Sequence, residues 1–114
     1  MAEGKPIWLG RLGAEVDVAT GAEAARRCAL QSLAALRAEL GTLDRVRRVV
    51  KASVFVACAP DFTEQPKVAN GASDLFVEVF GEAGKHARAA VGCASLPLGA
   101  PVEIEVVVEI GDAP

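Results

Sequence analysis

The stretch that decides the fold is 84–110, GKHARAAVGCASLPLGAPVEIEVVVEI. From Val102 to Ile110 apolar residues alternate with mostly acidic ones, and this period of two predicts a half-buried strand. The run of small residues from Ala89 to Cys93 predicts a second strand, packed closely against its surroundings. A turn rich in proline and glycine, LPLGAP, joins the two strands.

Charged side chains of both signs lie on these two predicted strands. Arg88 opens the first strand, and Glu103, Glu105 and Glu109 share one face of the second. The loop between the strands is too short to carry these side chains far apart if the strands pair with each other. This part of the chain is therefore the first place to look for a binding or catalytic site.

A long amphipathic helix is predicted ahead of this region. Thr20 and Glu23 have the spacing of a capping box, which places the start of the helix there. The helix is expected to run to about Leu40, and Gly41 supplies the left-handed residue that ends many helices. Its apolar stripe consists of Ala25, Ala29, Leu33, Leu36 and Leu40.

One more strand and one more helix are predicted between that helix and residue 84. Val46 to Ala57 is rich in β-branched residues, which favours a strand. A helix is expected from about Pro66 to Phe80, stopped by Gly81 and weakened by Gly71, so that packing must stabilise it. Its inward residues are predicted to be Ala69, Ala72, Phe76, Val79 and Phe80.

The order of elements indicates an α+β domain in which two helices cover one face of a mixed sheet. A short edge strand at Ile7–Leu9 would come first, followed by helix, strand, helix, strand and strand. The other face of the sheet also needs cover. Because Glu and Val alternate along the last strand, a subunit interface with polar pockets would suit that face.

Composition limits the kind of protein. The 114 residues fit a single domain, 1–114, with a modest core. The sequence has no run of about 18 apolar residues, the pattern that would predict a membrane span. The first ten residues lack a signal-peptide pattern, so we expect a cytoplasmic protein. The net charge of −3 argues against a nucleic-acid partner, and we interpret the basic stripe 45–51 as a solvated face.

The cysteines and the sole histidine form no recognisable metal or catalytic pattern in the sequence. Cys28, Cys58 and Cys93 are widely spaced, with no CxxC or Cys/His cluster, and are expected to pack as small apolar residues. There is likewise no recognisable Ser-His-Asp set and no glycine-rich phosphate loop. We therefore expect no metal and no cofactor.

Several motifs, in order, resemble the RidA/YjgF/YER057c/UK114 family, and one bacterial YjgF-like subgroup in particular. The resemblance covers about Gly10 to Ile110. The motifs are NGASDL at 70–75, VEVFG at 77–81, HAR at 86–88, Leu-Pro at 96–97 and VEIE at 102–105.

The resemblance implies a RidA/YjgF-like (chorismate-mutase-like) fold, assembled as a homotrimer with ligand clefts between subunits. In the family, the arginine at the position of Arg88 holds the substrate carboxylate, and the carboxylate at the position of Glu103 positions water. The implied activity is that of an enamine/imine deaminase, which hydrolyses reactive 2-imino acids to 2-oxo acids and ammonia. The expected partner is thus a small 2-imino or 2-oxo acid.

Two other functions stay open. Family members usually begin with an additional strand pair that ends in a Ser-Gly-Gln-like tripeptide and often carries a pocket tyrosine. This sequence has no tyrosine and no Ser-Gly-Gln, which favours a trimeric protein that binds a small carboxylate without catalysis. An endoribonuclease or translation-inhibitor activity, a label that some family members carry, has only the basic stripe in its support.

The candidate residues also have structural alternatives. Arg88 would otherwise form a salt bridge to Glu103 or Glu105, and Glu103 would otherwise be an exposed strand carboxylate. His86 is either a proton shuttle or, as is commoner for a loop histidine, a solvated side chain. Cys93 lies five residues from Arg88, which places the two side chains on opposite faces of a strand.

Overall fold

The computed structural model describes residues 8–112 of the chain. Within them, two helices pack on one mixed sheet of three strands, which confirms the predicted α+β class. In chain order the elements are α1 (Val18–Leu40), β1 (Val46–Ala57), α2 (Gln65–Phe80), β2 (Ala87–Cys93) and β3 (Val102–Ile110). The edge strand expected at Ile7–Leu9 falls partly outside the described residues, and its remaining two residues belong to no strand.

The strand order is β2-β1-β3, so the long apolar strand is central. β2 runs parallel to β1, and α2 makes the crossover that a parallel pair requires. β3 pairs with the other side of β1 in the antiparallel sense, with irregularities in register near Arg48 and Lys51. β2 and β3 therefore do not pair with each other, although they follow one another in the chain.

The two faces of the sheet differ in cover. The helix face contains Ala52, Val54 and Val56 of β1, which are fully buried in the core beneath α1 and α2. The open face contains Lys51 and Phe55 of β1. Neither residue belongs to the core cluster that α1 and α2 form with the sheet. The alternation predicted for β3 is confirmed, because its even-numbered residues from 102 to 108 are more buried than their odd-numbered neighbours.

The core is built from small side chains, as the alanine-rich sequence predicts. The buried residues of α1 are Gly21, Ala24, Ala25, Ala29 and Leu33, and those of α2 are Val68, Ala69, Ala72, Leu75 and Phe76. The inward position predicted for Val79 is wrong, since this side chain is 44% exposed. Gly41 ends α1 in the left-handed conformation, as expected, and its N–H donates to the Arg37 carbonyl.

The start of α1 differs from the predicted capping box. The helix begins at Val18, and the Asp17 carboxylate accepts the Thr20 backbone N–H at 2.8 Å. An acidic N-cap satisfies a free N–H and also matches the positive end of the helix dipole, which explains why it takes precedence over Thr20 and Glu23. The hydrogen bond from the Thr20 backbone N–H is the main cause that lowers the pKa of Asp17.

The two helices pack closely at Gly71 of α2. A Cβ atom at this position would overlap the backbone carbonyl of Ala22 in α1, so only glycine allows the helices this approach. Gly71 is thus required by packing, in spite of its low helix propensity.

Replacement of Asp17 tests the cap and its pH dependence. Asp17→Ala should lower the melting temperature at neutral pH, whereas Asp17→Asn should not, because asparagine caps as well as aspartate. Because the folded state lowers this pKa below the ordinary 3.8, the stabilisation is complete above 3.8 and disappears as the pH falls through the lower folded value. Thermal melts across that range should show the Asp17→Ala deficit shrinking in acid. A deficit that does not depend on pH would contradict the role of the charge.

Gly71→Ala separates packing from helix propensity. Propensity alone would make alanine more stable by about 1 kcal/mol. The overlap with Ala22 should reverse the sign and destabilise the protein by about 1–3 kcal/mol. Asp74→Ala, which introduces the same residue at an exposed site three positions later in α2, is the matched control and should change little. Denaturant unfolding measures both, and a stabilised Gly71→Ala protein would show that the helices do not meet here.

Candidate functional site

Arg88 lies at the start of β2, on an edge of the sheet. It is in register with Ala52, which directs its side chain to the helix face, over α2. There its Nη1 donates to Asn70 Oδ1 at 2.7 Å and to Ser73 Oγ at 3.3 Å. Within residues 8–112, Nη2 and Nε have no partner, and the side chain is exposed. The guanidinium is therefore oriented by α2 and presents its other edge, the one that binds carboxylates in a two-pronged contact, to solvent.

Asn70 and Ser73 are three residues apart on α2, so they share one face of that helix. Each accepts a hydrogen bond from Nη1, which restricts a long and otherwise flexible side chain. The motif NGASDL, one of those that carry the family resemblance, contains both residues. Their place in the site cannot be read from the sequence, because only the crossover of α2 places them beside Arg88.

His86 completes this cluster from the segment before β2. Its Nδ1 lies 2.6 Å from the Gly84 carbonyl oxygen, and its Nε2 lies 2.9 Å from Ser73 Oγ. The ring is half-buried and meets the buried Phe76 ring edge-on, with centroids 5.7 Å apart. The expectation of a solvated loop histidine is therefore wrong: both ring nitrogens have partners within the protein.

The position of the His86 ring depends on a tight approach at Gly84. A Cβ atom at Gly84 would overlap the Phe76 carbonyl and the Val77 backbone, so glycine is needed for the segment to lie against the end of α2. This contact directs the Gly84 carbonyl toward His86. Because a carbonyl can only accept, Nδ1 carries the proton, and in the neutral ring Nε2 is left as an acceptor for the Ser73 hydroxyl.

Glu103 lies elsewhere. It is on β3, opposite Phe55, and belongs to the open face, whereas Arg88 belongs to the helix face. β1 lies between their two strands, so the strands are two spacings apart, roughly 9–10 Å. The two side chains also point to opposite faces of the sheet. One chain therefore does not bring the two predicted site residues together, and Arg88 forms no salt bridge to Glu103 or Glu105 within residues 8–112.

The thiols of Cys28 and Cys93 are not activated as nucleophiles. Cys93 is in register with Ala57, which places it on the opposite face from Arg88, as expected. Burial, then Cys58 and the charge of Glu103, raise the pKa of Cys93. Burial also raises the pKa of Cys28, whose thiol donates to the Val102 carbonyl at 3.6 Å. These thiols therefore stay protonated and pack as small residues.

A groove of about 490 Å³ lies between α1 and the outer edge of β3. Its walls are mainly apolar, and Arg27 and Glu103 contribute charges. Arg88 does not line it, because it lies on the opposite edge of the sheet. We assign the candidate site to the Arg88 cluster, since convergent polar groups, rather than volume alone, orient a small charged ligand.

Three observations on the described part of the chain concern other kinds of site. No group of three or more metal-ligating side chains occurs within residues 8–112. None of the helices found there is both long enough and apolar enough to span a membrane. In the basic stripe, Arg47, Arg48 and Lys51 are exposed, and Arg48 Nε lies 3.5 Å from the Glu109 carboxylate.

A β–α–β crossover with an antiparallel third strand, two helices on one face and an arginine at the start of the edge strand are features of the chorismate-mutase-like fold of the YjgF class. The chain belongs to the YjgF family, since the family model described as "YjgF/chorismate_mutase-like, putative endoribonuclease" matches residues 1–110.

Relatives support this assignment. Protein TCP17 of Trypanosoma cruzi is 58% identical over 104 residues, which are 90% of this chain and 65% of that protein. The chain thus spans about two thirds of the length of this curated relative.

Solved structures show the same fold. The crystal structure of Atu1372 from Agrobacterium tumefaciens, a protein of unknown function, is 52% identical and superposes with a TM-score of 0.93, covering 96% of this chain and 71% of that one. A "putative endoribonuclease" from Shewanella oneidensis is 32% identical and superposes with a TM-score of 0.92, covering 96% and 73%.

Arg88→Ala tests whether the free guanidinium edge binds carboxylates. Loss of charge-assisted hydrogen bonds, each worth about 1.5–3 kcal/mol, should weaken binding of pyruvate or a similar 2-oxo acid by roughly tenfold to a hundredfold or more. Arg88→Lys should recover only part, because a point charge cannot make the two-pronged contact. Arg48→Ala, an exposed arginine of β1, is the matched control. Calorimetry beside a thermal melt measures both effects, and unchanged affinity with a large drop in melting temperature would make Arg88 a structural residue.

Proposed function

We propose that this protein is a RidA-like deaminase, which hydrolyses small reactive 2-imino acids, and their enamine tautomers, to 2-oxo acids and ammonia. The observation that carries the proposal is the guanidinium of Arg88, held on one edge by Asn70 and Ser73 and open on the other. Membership of the YjgF family supports it, since the resemblance implies a substrate carboxylate on this arginine.

The reaction makes modest demands on the protein. Water adds to the imine carbon, the electron pair of the C=N bond moves to nitrogen, and ammonia leaves as the carbonyl forms. The protein must hold the carboxylate, place the water and assist proton transfer. Arg88 meets the first demand because it is oriented before the substrate arrives.

In the proposed reaction Glu103 acts from a second subunit. It faces away from Arg88 within its own chain, so it reaches the Arg88 site only across an interface. The open face offers such an interface: Val91 and Val107 are 45% and 47% exposed there, beside the half-buried Phe55. We propose a homotrimer in which Glu103 of a neighbouring subunit positions the attacking water.

The deciding experiment is an assay of the purified protein with a 2-imino acid generated in place by an L-amino-acid oxidase. Accelerated formation of the 2-oxo acid above the uncatalysed rate supports the proposal. Pyruvate binding without acceleration would leave the carboxylate-binding protein as the function. Cleavage of single-stranded RNA that Arg88→Ala abolishes, without imine hydrolysis, would favour the endoribonuclease activity named for the family and for the Shewanella structure.

Glu103→Gln should lower the rate of imine hydrolysis and leave pyruvate binding nearly intact, because the amide occupies the same space without the negative charge that polarises water. Glu105→Gln, the next carboxylate on the same face of β3, is the matched control and should retain activity. Equal loss of binding and rate in Glu103→Gln would indicate a structural role.

Mixing the two inactive variants tests the shared site. In mixed trimers, an interface is intact when Arg88 comes from a Glu103→Gln subunit and Glu103 comes from an Arg88→Ala subunit. Random exchange should make about a quarter of the interfaces intact and restore activity in proportion. No recovery, despite subunit exchange shown by mass spectrometry, would contradict a site shared between subunits.

A further inference from the structure

The contact between Ser73 and His86 has no role in the function proposed above. Nδ1 of His86 must donate to the Gly84 carbonyl at 2.6 Å, which leaves Nε2, 2.9 Å from Ser73 Oγ, as an acceptor. The Ser73 hydroxyl donates to that nitrogen, and its oxygen accepts from Arg88 Nη1 at 3.3 Å. A base, a hydroxyl and the guanidinium thus form one continuous chain of hydrogen bonds.

We infer that Ser73 and His86 form the proton relay of the Arg88 site. The inference rests on the proposed imine hydrolysis and adds the residues that move the proton. Ser73 is the member that contacts Arg88, and His86 acts through it as the group that stores the proton.

The route of the proton follows from the chemistry of the substrate. In a 2-imino acid the reacting carbon is bonded directly to the carboxylate carbon. A carboxylate on the open edge of the Arg88 guanidinium keeps the reacting carbon near this group, while Ser73 holds the other edge, so bridging solvent water carries the proton between them. Among the described residues that hydrogen-bond to Arg88, or to its partners Asn70 and Ser73, His86 is the one whose side chain has a ring nitrogen free to take up a proton.

The proton transfers balance. As a water oxygen bonds to the imine carbon, the electron pair of the C=N bond moves to nitrogen, which takes a proton from solvent. The water gives a proton, through bridging solvent water, to Ser73 Oγ, which passes its own to His86 Nε2. On collapse of the adduct the relay runs in reverse and returns this proton to the nitrogen, which leaves as ammonia. The adduct hydroxyl gives its remaining proton to solvent as the carbonyl forms, which replaces the proton taken at the start and leaves the 2-oxo acid. His86 ends neutral, as it began.

The hydrogen-bond geometry supports both protonation states of the ring. In the charged ring Nε2 becomes a donor, and the Ser73 oxygen can accept from it after its hydroxyl rotates. The Gly84 carbonyl continues to accept from Nδ1 in either state. His86 can therefore gain and lose a proton without losing a partner, which is what a relay requires.

The test uses the full-length protein and the imine assay described above. His86→Gln keeps a side chain that can accept from Ser73 but cannot take up a proton, and Ser73→Ala removes the link. Both should lower kcat by about a hundredfold or more, the usual contribution of general acid–base catalysis. Pyruvate affinity of His86→Gln should stay close to that of the wild type, since Arg88 keeps both of its partners.

Two further variants exclude a merely structural role. His86→Ala should regain much of its kcat on addition of free imidazole, which can occupy the vacated space beside Phe76. Ser32→Ala is the matched control, because Ser32 is another half-buried helical serine, whose hydroxyl donates to the Cys28 carbonyl at 3.0 Å. It should retain full activity.

The outcomes separate the relay from the proposed function. An active wild type with a fully active His86→Gln, or with no imidazole rescue of a folded His86→Ala, overturns the relay and leaves the deaminase. A folded wild type that does not accelerate imine hydrolysis overturns the deaminase and the relay with it. A loss of kcat in His86→Gln and Ser73→Ala, with imidazole rescue of His86→Ala, supports both.

Discussion

The parallel pairing of β2 with β1, bridged by α2, is the constraint on which the rest of the structure depends. A parallel pair needs a long crossover, and here the crossover is a helix that lies across the sheet between its two strands. Asn70 and Ser73 on that helix meet Arg88 on the strand that follows it. The site is thus a product of the crossover. It lies at the edge of the sheet because β2 has no further neighbour within residues 8–112.

Two glycines allow the close packing of backbone segments that this arrangement needs. Gly71 lets α2 lie directly against α1, which holds the helix that orients Arg88. Gly84 lets the segment before β2 lie against the end of α2, which directs a carbonyl toward His86. In both places a methyl group would overlap backbone, and backbone cannot move aside as a flexible side chain can. The alanine-rich core and the glycines serve the same purpose, because close spacing of elements brings short polar side chains within hydrogen-bonding distance.

Much of the fold could be predicted from patterns that depend on neighbouring residues alone. The alternation of β3, the β-branched run of β1 and the glycine after Leu40 each report local conformation, and each prediction is confirmed. The cap of α1 was missed because two local patterns compete within a few residues, and the acidic side chain at position 17 prevails.

The candidate site was harder to predict. Arg88 could be proposed from its motif, but its partners depend on which strands pair, and a short loop between β2 and β3 suggested the wrong neighbours. Ser73 and His86 are thirteen residues apart, with no spacing that marks them as a pair. Their contact exists only because the 3₁₀ turn Gly81–Gly84, which follows α2, returns the chain along that helix.

The sheet also explains why binding and catalysis need not reside in one chain. Successive residues of a strand face opposite sides, and the middle strand separates the two outer ones, so Arg88 and Glu103 of one subunit point away from each other. Arg88, Ser73 and His86, the residues of the proposed carboxylate site and proton relay, all lie on the helix face of one chain. A carboxylate from the open face of another copy completes the proposed site without any change in the fold of either chain. Under this arrangement the same surface that removes Val91 and Val107 from water also delivers Glu103, so assembly and the placement of water are one event.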